Sequence, residues 1–330
     1  MRKCLKGILK KGNISNPSLI LHKYLEKGDD NLSKTNLMED AQNSLENVKE
    51  VYKRAYKRWE SFLSHQNVKT IDLETDGNLI VGLGSDNVLE TGITLHHTYG
   101  VPYIPGTALK GLSAHYCNEV WGEQAKNEDF KKEKIVKEKD KNGKETEKKV
   151  TGKYYKEIFG DTTQAGHIRF WDAWIKPQTL SGCLKKDIMT PHNTKYYSDS
   201  DNTPPSDYES PTPISFLSVQ GTFTIALSCD VPGEQGTNWI NLTFELLKSA
   251  LRDWGVGAKT SSGYGRLEKN INKNNNVISN ENKEKISTNQ VLTKHKHFDE
   301  NNKGYNKRNQ NKRDATQGLN TIGDLINFKK

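Results

Sequence analysis

The chain has 330 residues, enough for one large domain or two small ones, and only 33% of them are hydrophobic, so part of the chain is expected to stay unfolded. The formal net charge is +8, but residues 269–330 hold 13 Lys/Arg against 6 Asp/Glu, which leaves the first 268 residues nearly neutral. A nucleic-acid site, if present, has to be a local patch, and no apolar stretch approaches the length of a membrane span.

The N-terminal segment MRKCLKGILKKGN is basic but lacks the apolar run of a signal peptide. The four cysteines, Cys4, Cys117, Cys183 and Cys229, form no C-x-x-C pair and suit neither zinc nor a disulfide framework. A soluble, cytoplasmic protein is expected. A helix is predicted over 36–64, with Asn36 and Glu39 as a capping box. Its apolar stripe runs Leu37, Ala41, Leu45, Val48, Tyr52, Ala55, Trp59, Phe62, spaced by three and four. Glu46, Lys49, Glu50, Lys53, Arg54 and Lys57 occupy the other face. That pattern fits packing on a core or a partner; direct RNA contact by the basic half stays open.

Residues 67–104 read as strands, and TALKGLSAHYCNEVW after Pro105-Gly106 as a helix with Thr107 at its N-cap. Residues 126–153 are charged and of low complexity, an exposed insertion or a long hairpin around Asn142-Gly143. HIRFWDAWI (His167–Ile175) alternates as a strand; PISFLSVQGTFTIALSCD (Pro213–Asp230) reads as one long strand or a hairpin. Residues 238–254 place Trp239, Leu242, Leu246, Leu247, Ala250 and Trp254 at helical spacing, and GYGRLE closes as a short strand. The order is strand, helix, strand, strand, helix, strand: an α+β, ferredoxin-like, RRM-like fold. Residues 187–213 are too long and polar for an ordinary connection and are expected to protrude like a thumb. Residues 269–330, with 15 asparagines, are expected to form a disordered tail. Three regions follow: 1–66 as an N-terminal extension, 67–268 as the folded domain, and 269–330 as the tail.

The sharpest local feature is the run Gly255–Arg266, GVGAKTSSGYGR, between a helix and a strand. Glycines let backbone N–H groups approach an anion, and Lys259 and Arg266 add charge. It is not a Walker A loop, since Ala258 and Asp253 stand where that motif needs glycine. Geometry alone also accounts for such a glycine-rich turn. A second turn, Gly100–Gly111, puts Lys110 in the first turn of a helix, where it opposes the macrodipole unless an anion is bound; a solvated lysine is the plainer alternative. Among His96, His97, His115, His167 and His192, the candidates for general acid/base work are His97 and His192, and no sequence-local partner completes a constellation for any of the five. No paired Asp/Glu motif suggests bound metal, and no cofactor is expected.

Taken together, YIPGTALKG (Tyr103–Gly111) and GVGAKTSSGYGR (Gly255–Arg266) resemble the two glycine-rich signatures of the RAMP superfamily. IFGD (Ile158–Asp161), GHIRFWDAW (Gly166–Trp174), DIMTPHNTKYY (Asp187–Tyr197) and PTPISFL (Pro211–Leu217), in this order, narrow the resemblance to the subunit-six family of Cmr (type III-B) CRISPR effector complexes. It covers roughly residues 67–268; the insertion at 126–153 and the tail match none of the family's motifs. The resemblance implies a non-catalytic subunit of an antiviral ribonucleoprotein that cradles guide RNA with its glycine-rich loops and caps the assembly near the guide's 3′ end. Its implied partners are guide and target RNA, other Cmr RAMP subunits and the small helical subunit; target cleavage and cyclic-nucleotide synthesis fall to other subunits. The RNA-binding residues expected on this basis are Thr107, Lys110, Gly257, Lys259, Thr260, Ser261, Ser262, Tyr264 and Arg266, with His192, Tyr196 and Tyr197 on the thumb. The alternative is a metal-independent RAMP endoribonuclease that processes guide RNA.

Overall fold

A computed structural model describes residues 14–26, 30–65, 68–85, 89–139, 145–190, 196, 204, 211 and 213–269. Among the described residues the α-helices are α1 (Pro17–Lys23), α2 (Asn31–His65), α3 (Gly106–Tyr116), α4 (Lys153–Phe159) and α5 (Gly233–Asp253). Strands are β1 (Val68–Asp76), β2 (Tyr103–Ile104), β3 (Lys134–Lys139), β4 (Glu145–Val150), β5 (Ile168–Phe170), β6 (Ala173–Ile175), β7 (Leu184–Met189), β8 (Ile214–Val219), β9 (Thr222–Cys229) and β10 (Arg266–Glu268). The main sheet runs β10-β1-β9-β6-β2, with β5 also paired to β9, and every pairing is antiparallel. Taking β5–β6 as one broken strand, the core order is fourth, first, third, second, with α3 and α5 in the two crossovers. That is the ferredoxin-like split βαβ arrangement.

The central strand shows why. In β9, Phe223, Ile225 and Leu227 alternate with Thr224 and Ala226, and all five are buried, as a strand covered on both faces requires. On one side α5 packs along β9 and β10, and α3 meets β5. On the other side lies α2. Tyr52 Oη donates to Ile175 O at 2.6 Å, Tyr56 Oη bonds Thr224 Oγ1 at 2.6 Å, and Trp59 stacks on Trp174 with centroids 5.2 Å apart and planes 3° from parallel. RRM-type binders stack bases on that sheet face; here the N-terminal helix occupies it.

The sequence-based expectations need several corrections. Helix α2 starts before Asn36, because Asp30 is its cap: Oδ1 accepts Leu32 N–H at 3.1 Å and Oδ2 accepts Ser33 N–H at 3.3 Å. The stripe shifts in the last turn, where Leu63 is buried and Phe62 is exposed, its ring edge on Trp171. Thr107 is not a cap. Helix α3 begins at Gly106, its N-cap is Pro105, and Asp172 Oδ1 accepts Gly106 N–H at 2.7 Å. Pro213–Asp230 is neither one strand nor a hairpin, since β8 pairs with β7 and β9 joins the main sheet. Residues 167–175 break at Trp171-Asp172 into two strands. The insertion at 126–153 does contain paired strands, β3 with β4; its tip at Asn142-Gly143 lies outside the described residues. So do the tail beyond Lys269 and, on the thumb, His192 and Tyr197. No helix among the described residues is long and apolar enough to cross a membrane, and no group of three or more His, Cys, Asp or Glu there is placed to hold a metal ion.

Candidate nucleic-acid interface

The glycine-rich run turns the chain from α5 back to β10, and its shape is dictated by close backbone contact. Gly257 has φ +94°, and a Cβ built there would stand 2.0 Å from Ile80 O. That carbonyl accepts Ala258 N–H at 2.8 Å, while Val256 N–H donates to Gly265 O and Gly265 N–H to Asn78 O, each at 2.8 Å. Part of the glycine content therefore serves packing against residues 78–80. At the tip the reading differs. Lys259 is left-handed at φ +59°, a conformation costly for a side chain other than glycine. Backbone strain of this kind recurs at ligand-binding sites. Among the described residues, no acceptor meets the N–H groups of Gly257 and Lys259, and neither Lys259 nor Arg266 makes an ion pair.

The β7–β8 pair braces this loop. Strands β7 and β8 pair antiparallel and carry the 190–213 connection at their far end. Asp187 Oδ2 on β7 accepts Tyr264 Oη–H at 2.5 Å and Asn78 Nδ2–H at 2.8 Å; its Oδ1 accepts Ile188 N–H at 2.8 Å. Gln220 Nε2 completes the chain on Asn78 Oδ1 at 2.7 Å. Burial pulls the Asp187 carboxyl upward, but the Tyr264, Ile188 and Asn78 bonds and the nearby Lys259 charge outweigh it, so its pKa is lowered. The Tyr264 hydroxyl is pushed the other way, first by its bond to Asp187 and then by burial. On β8, Phe216 lies under Lys259, with Nζ 5.7 Å from the ring centroid. Asp187, Phe216 and Lys259 belong to three separate motifs, and the fold gathers them at one corner. Asp187, Asn78 and Asp172 were missed as site residues from sequence because their partners lie 60 to 110 positions away.

A groove of 440 Å³ runs between α3 and the loop, lined by Ala108, Leu112 and His115 on one side and by Trp254, Gly257 and Thr260 on the other. The two glycine-rich signatures thus share a groove, but not through Lys110. Lys110 is the fifth residue of α3, past the first turn, and lines a different cleft together with Thr107. Ser261, Ser262 and Arg266 are exposed, Tyr264 is half-buried, and Tyr196 on the thumb is 48% exposed.

The histidines also need a correction. His167 does have partners: Nδ1 lies 2.7 Å from Asp230 Oδ1 and Nε2 lies 3.2 Å from Glu157 Oε2. These carboxylates come from other elements, which is why sequence-local reasoning found none. His96 packs among Tyr99, Tyr103 and Trp174, accepts Thr98 N–H on Nδ1 at 3.2 Å, and has its pKa lowered chiefly by burial. His97 is exposed.

Comparison with known proteins agrees with this architecture. The family model described as the RAMP superfamily matches residues 72–268. The chain is 33% identical to "CRISPR system Cmr subunit Cmr6" of Pyrococcus furiosus over 250 residues, 66% of this chain and 73% of that protein. It is 24% identical to "CRISPR system CMR subunit Cmr6" of Saccharolobus solfataricus over 183 residues, 55% of this chain and 49% of that one. A chain of the cryo-EM structure of "Type III-B Cmr-beta bound to cognate target RNA" shares the fold, with a TM-score of 0.51 over 72% of each chain at 19% identity. By its matched domain and its likeness to a curated relative, this chain belongs to the RAMP superfamily and, within it, to the Cmr6 family of CRISPR-system subunits.

Proposed function

We propose that this chain is a guide-RNA-binding, non-catalytic subunit of a type III-B CRISPR effector complex, seated near the guide's 3′ end. The observation that carries the reading is the strained Lys259 corner: a cation that makes no ion pair among the described residues, on a loop braced by Asp187 and opening into a groove shared with α3. Lys259, Thr260, Ser261, Ser262, Tyr264 and Arg266, with the Gly257 N–H, contact the RNA backbone, and Thr107 and Lys110 add a second point of contact. The relatives' names supply the setting, a CRISPR Cmr complex, and the cryo-EM relative was captured on target RNA. Guide and target RNA, neighbouring RAMP subunits and the small helical subunit are the partners. Because α2 covers the sheet face, the RNA runs along loops and helix ends. The thumb, with exposed Tyr196, reaches the guide–target duplex or a neighbour.

Two features favour binding over catalysis. Both ring nitrogens of His167 already face carboxylates, and the His96 ring is packed among aromatics; a general base needs a free nitrogen facing substrate. The test is reconstitution with the other Cmr subunits and guide RNA. Lys259→Ala with Arg266→Ala should lower guide occupancy of the assembled complex, and the purified chain should leave repeat RNA intact in EDTA. Undiminished occupancy, or cleavage lost in His97→Ala, would overturn the reading.

A further inference from the structure

On the face of α3 turned away from the glycine loop lies a cleft of 480 Å³, lined among others by Thr107, Lys110, His167, Arg169, Trp171 and Asp230. Its size falls in the range of small-ligand sites. Its ionisable groups are of both signs: Lys110 and Arg169 line it with Asp230, and Glu157 and Asp172 stand beside it. Asp230 and Glu157 are both engaged by His167, and Asp172 beside the cleft has Oδ1 on Gly106 N–H. Lys110 and Arg169 make no ion pair among the described residues. Among the described residues both cations thus stand outside any direct ion pair, where a phosphate oxygen can meet them.

The cleft also carries an ordered flat surface. The Arg169 guanidinium lies over the Trp171 ring, 5.4 Å from its centroid. Trp171 Nε1–H donates to Ser228 Oγ at 3.0 Å, and the Phe62 and Trp171 rings meet edge to face with centroids 5.7 Å apart. The indole is therefore held from two sides while Arg169 remains exposed. A cation–aromatic pair beside a lysine is the chemistry that takes a nucleobase on a planar surface and its phosphate on an ammonium. An acidic peptide would be served by the cations alone and would leave the ordered indole without a role.

We propose that this cleft binds one nucleotide of single-stranded RNA, its base on the Arg169–Trp171 pair and its phosphate on Lys110. The site is separate from the glycine-loop groove, so a strand crossing α3 is gripped at two places. This inference rests on the RNA-binding reading of the chain.

The experiment uses the full chain and a single-stranded RNA substituted with 4-thiouridine. Photocross-linked peptides are mapped by mass spectrometry, and affinity is read by fluorescence anisotropy. Cross-links are expected in residues 167–175 as well as 255–266. Arg169→Ala, a change at an exposed side chain, should remove the first set, keep the second, and weaken affinity about 5- to 20-fold. Arg169→Lys should recover only part of that loss, because an ammonium lacks the guanidinium plane. Full recovery by lysine overturns the stacking. Cross-links confined to 255–266, with Arg169→Ala binding as the wild type does, overturn the second site and leave the proposed function standing. A wild-type chain that binds no RNA defeats both.

Discussion

Replacing Gly257 by alanine probes how the candidate RNA loop is built. At φ +94° an L-residue is strained, and the new methyl would stand 2.0 Å from Ile80 O. That oxygen is backbone and already accepts Ala258 N–H at 2.8 Å, so the loop can relieve the clash only by moving away and lengthening this bond. Strain at such a conformation costs about 1–3 kcal/mol, and the lost bond about 1 kcal/mol. The sum, about 2–4 kcal/mol, translates to a drop in Tm of about 5–15 °C for a domain of this size. Thermal unfolding followed by circular dichroism reads it directly. Gly111→Ala is the control: Gly111 lies inside α3 with nothing within 4 Å of a built Cβ, so alanine there should be neutral or stabilise by up to about 1 kcal/mol. A Gly257→Ala protein that melts with the wild type would refute the claim that contact with residues 78–80 shapes the loop.

Other perturbations read other parts of the account. Tyr264→Phe and Asp187→Asn should each cost about 1 kcal/mol of stability, their exposure limiting the effect, and chemical denaturation at neutral pH measures it. The Asp187 pKa is lowered in the folded state, so its contribution is present above the ordinary carboxylate value of about 4 and is lost as pH falls below it. The stability gap between wild type and Asp187→Asn should therefore close in acid, and a gap that widens there would contradict the latch. Asp172→Ala removes the acceptor of Gly106 N–H and should cost about 1 kcal/mol, seen as a lower denaturant midpoint. Tyr52→Phe removes a buried bond to Ile175 O and should cost about 1–2 kcal/mol by the same measurement.

The alternation and spacing of apolar residues made the ferredoxin-like order legible, because each core element carries its own periodicity. The long helix was legible too, from the stripe at Leu37 through Trp59. Its start was not, because Asp30 and Asn36 are equally able to cap and only the folded chain shows which one does. The break at Trp171-Asp172 was invisible for a related reason: the segment alternates well enough for one strand, and Asp172 leaves the pattern to cap α3. The glycine loop stood out by composition, but its brace did not. Asp187 reads as one more polar residue at the edge of a loop until β7 brings it to Tyr264. His167 likewise gains Glu157 and Asp230 only when α4, β5 and the end of β9 converge.

The measurement closest to the central claim is the salt dependence of guide-RNA affinity for the full chain, by fluorescence anisotropy, in wild type and in Lys259→Ala with Arg266→Ala. Each phosphate contact on a single strand contributes about 0.7 to the slope of log affinity against log salt. Loss of two contacts should flatten that slope by about 1.4 and weaken binding alike for all RNA sequences, with the melting temperature unchanged. A double variant that keeps the wild-type slope and affinity would show that the RNA does not run over the glycine loop.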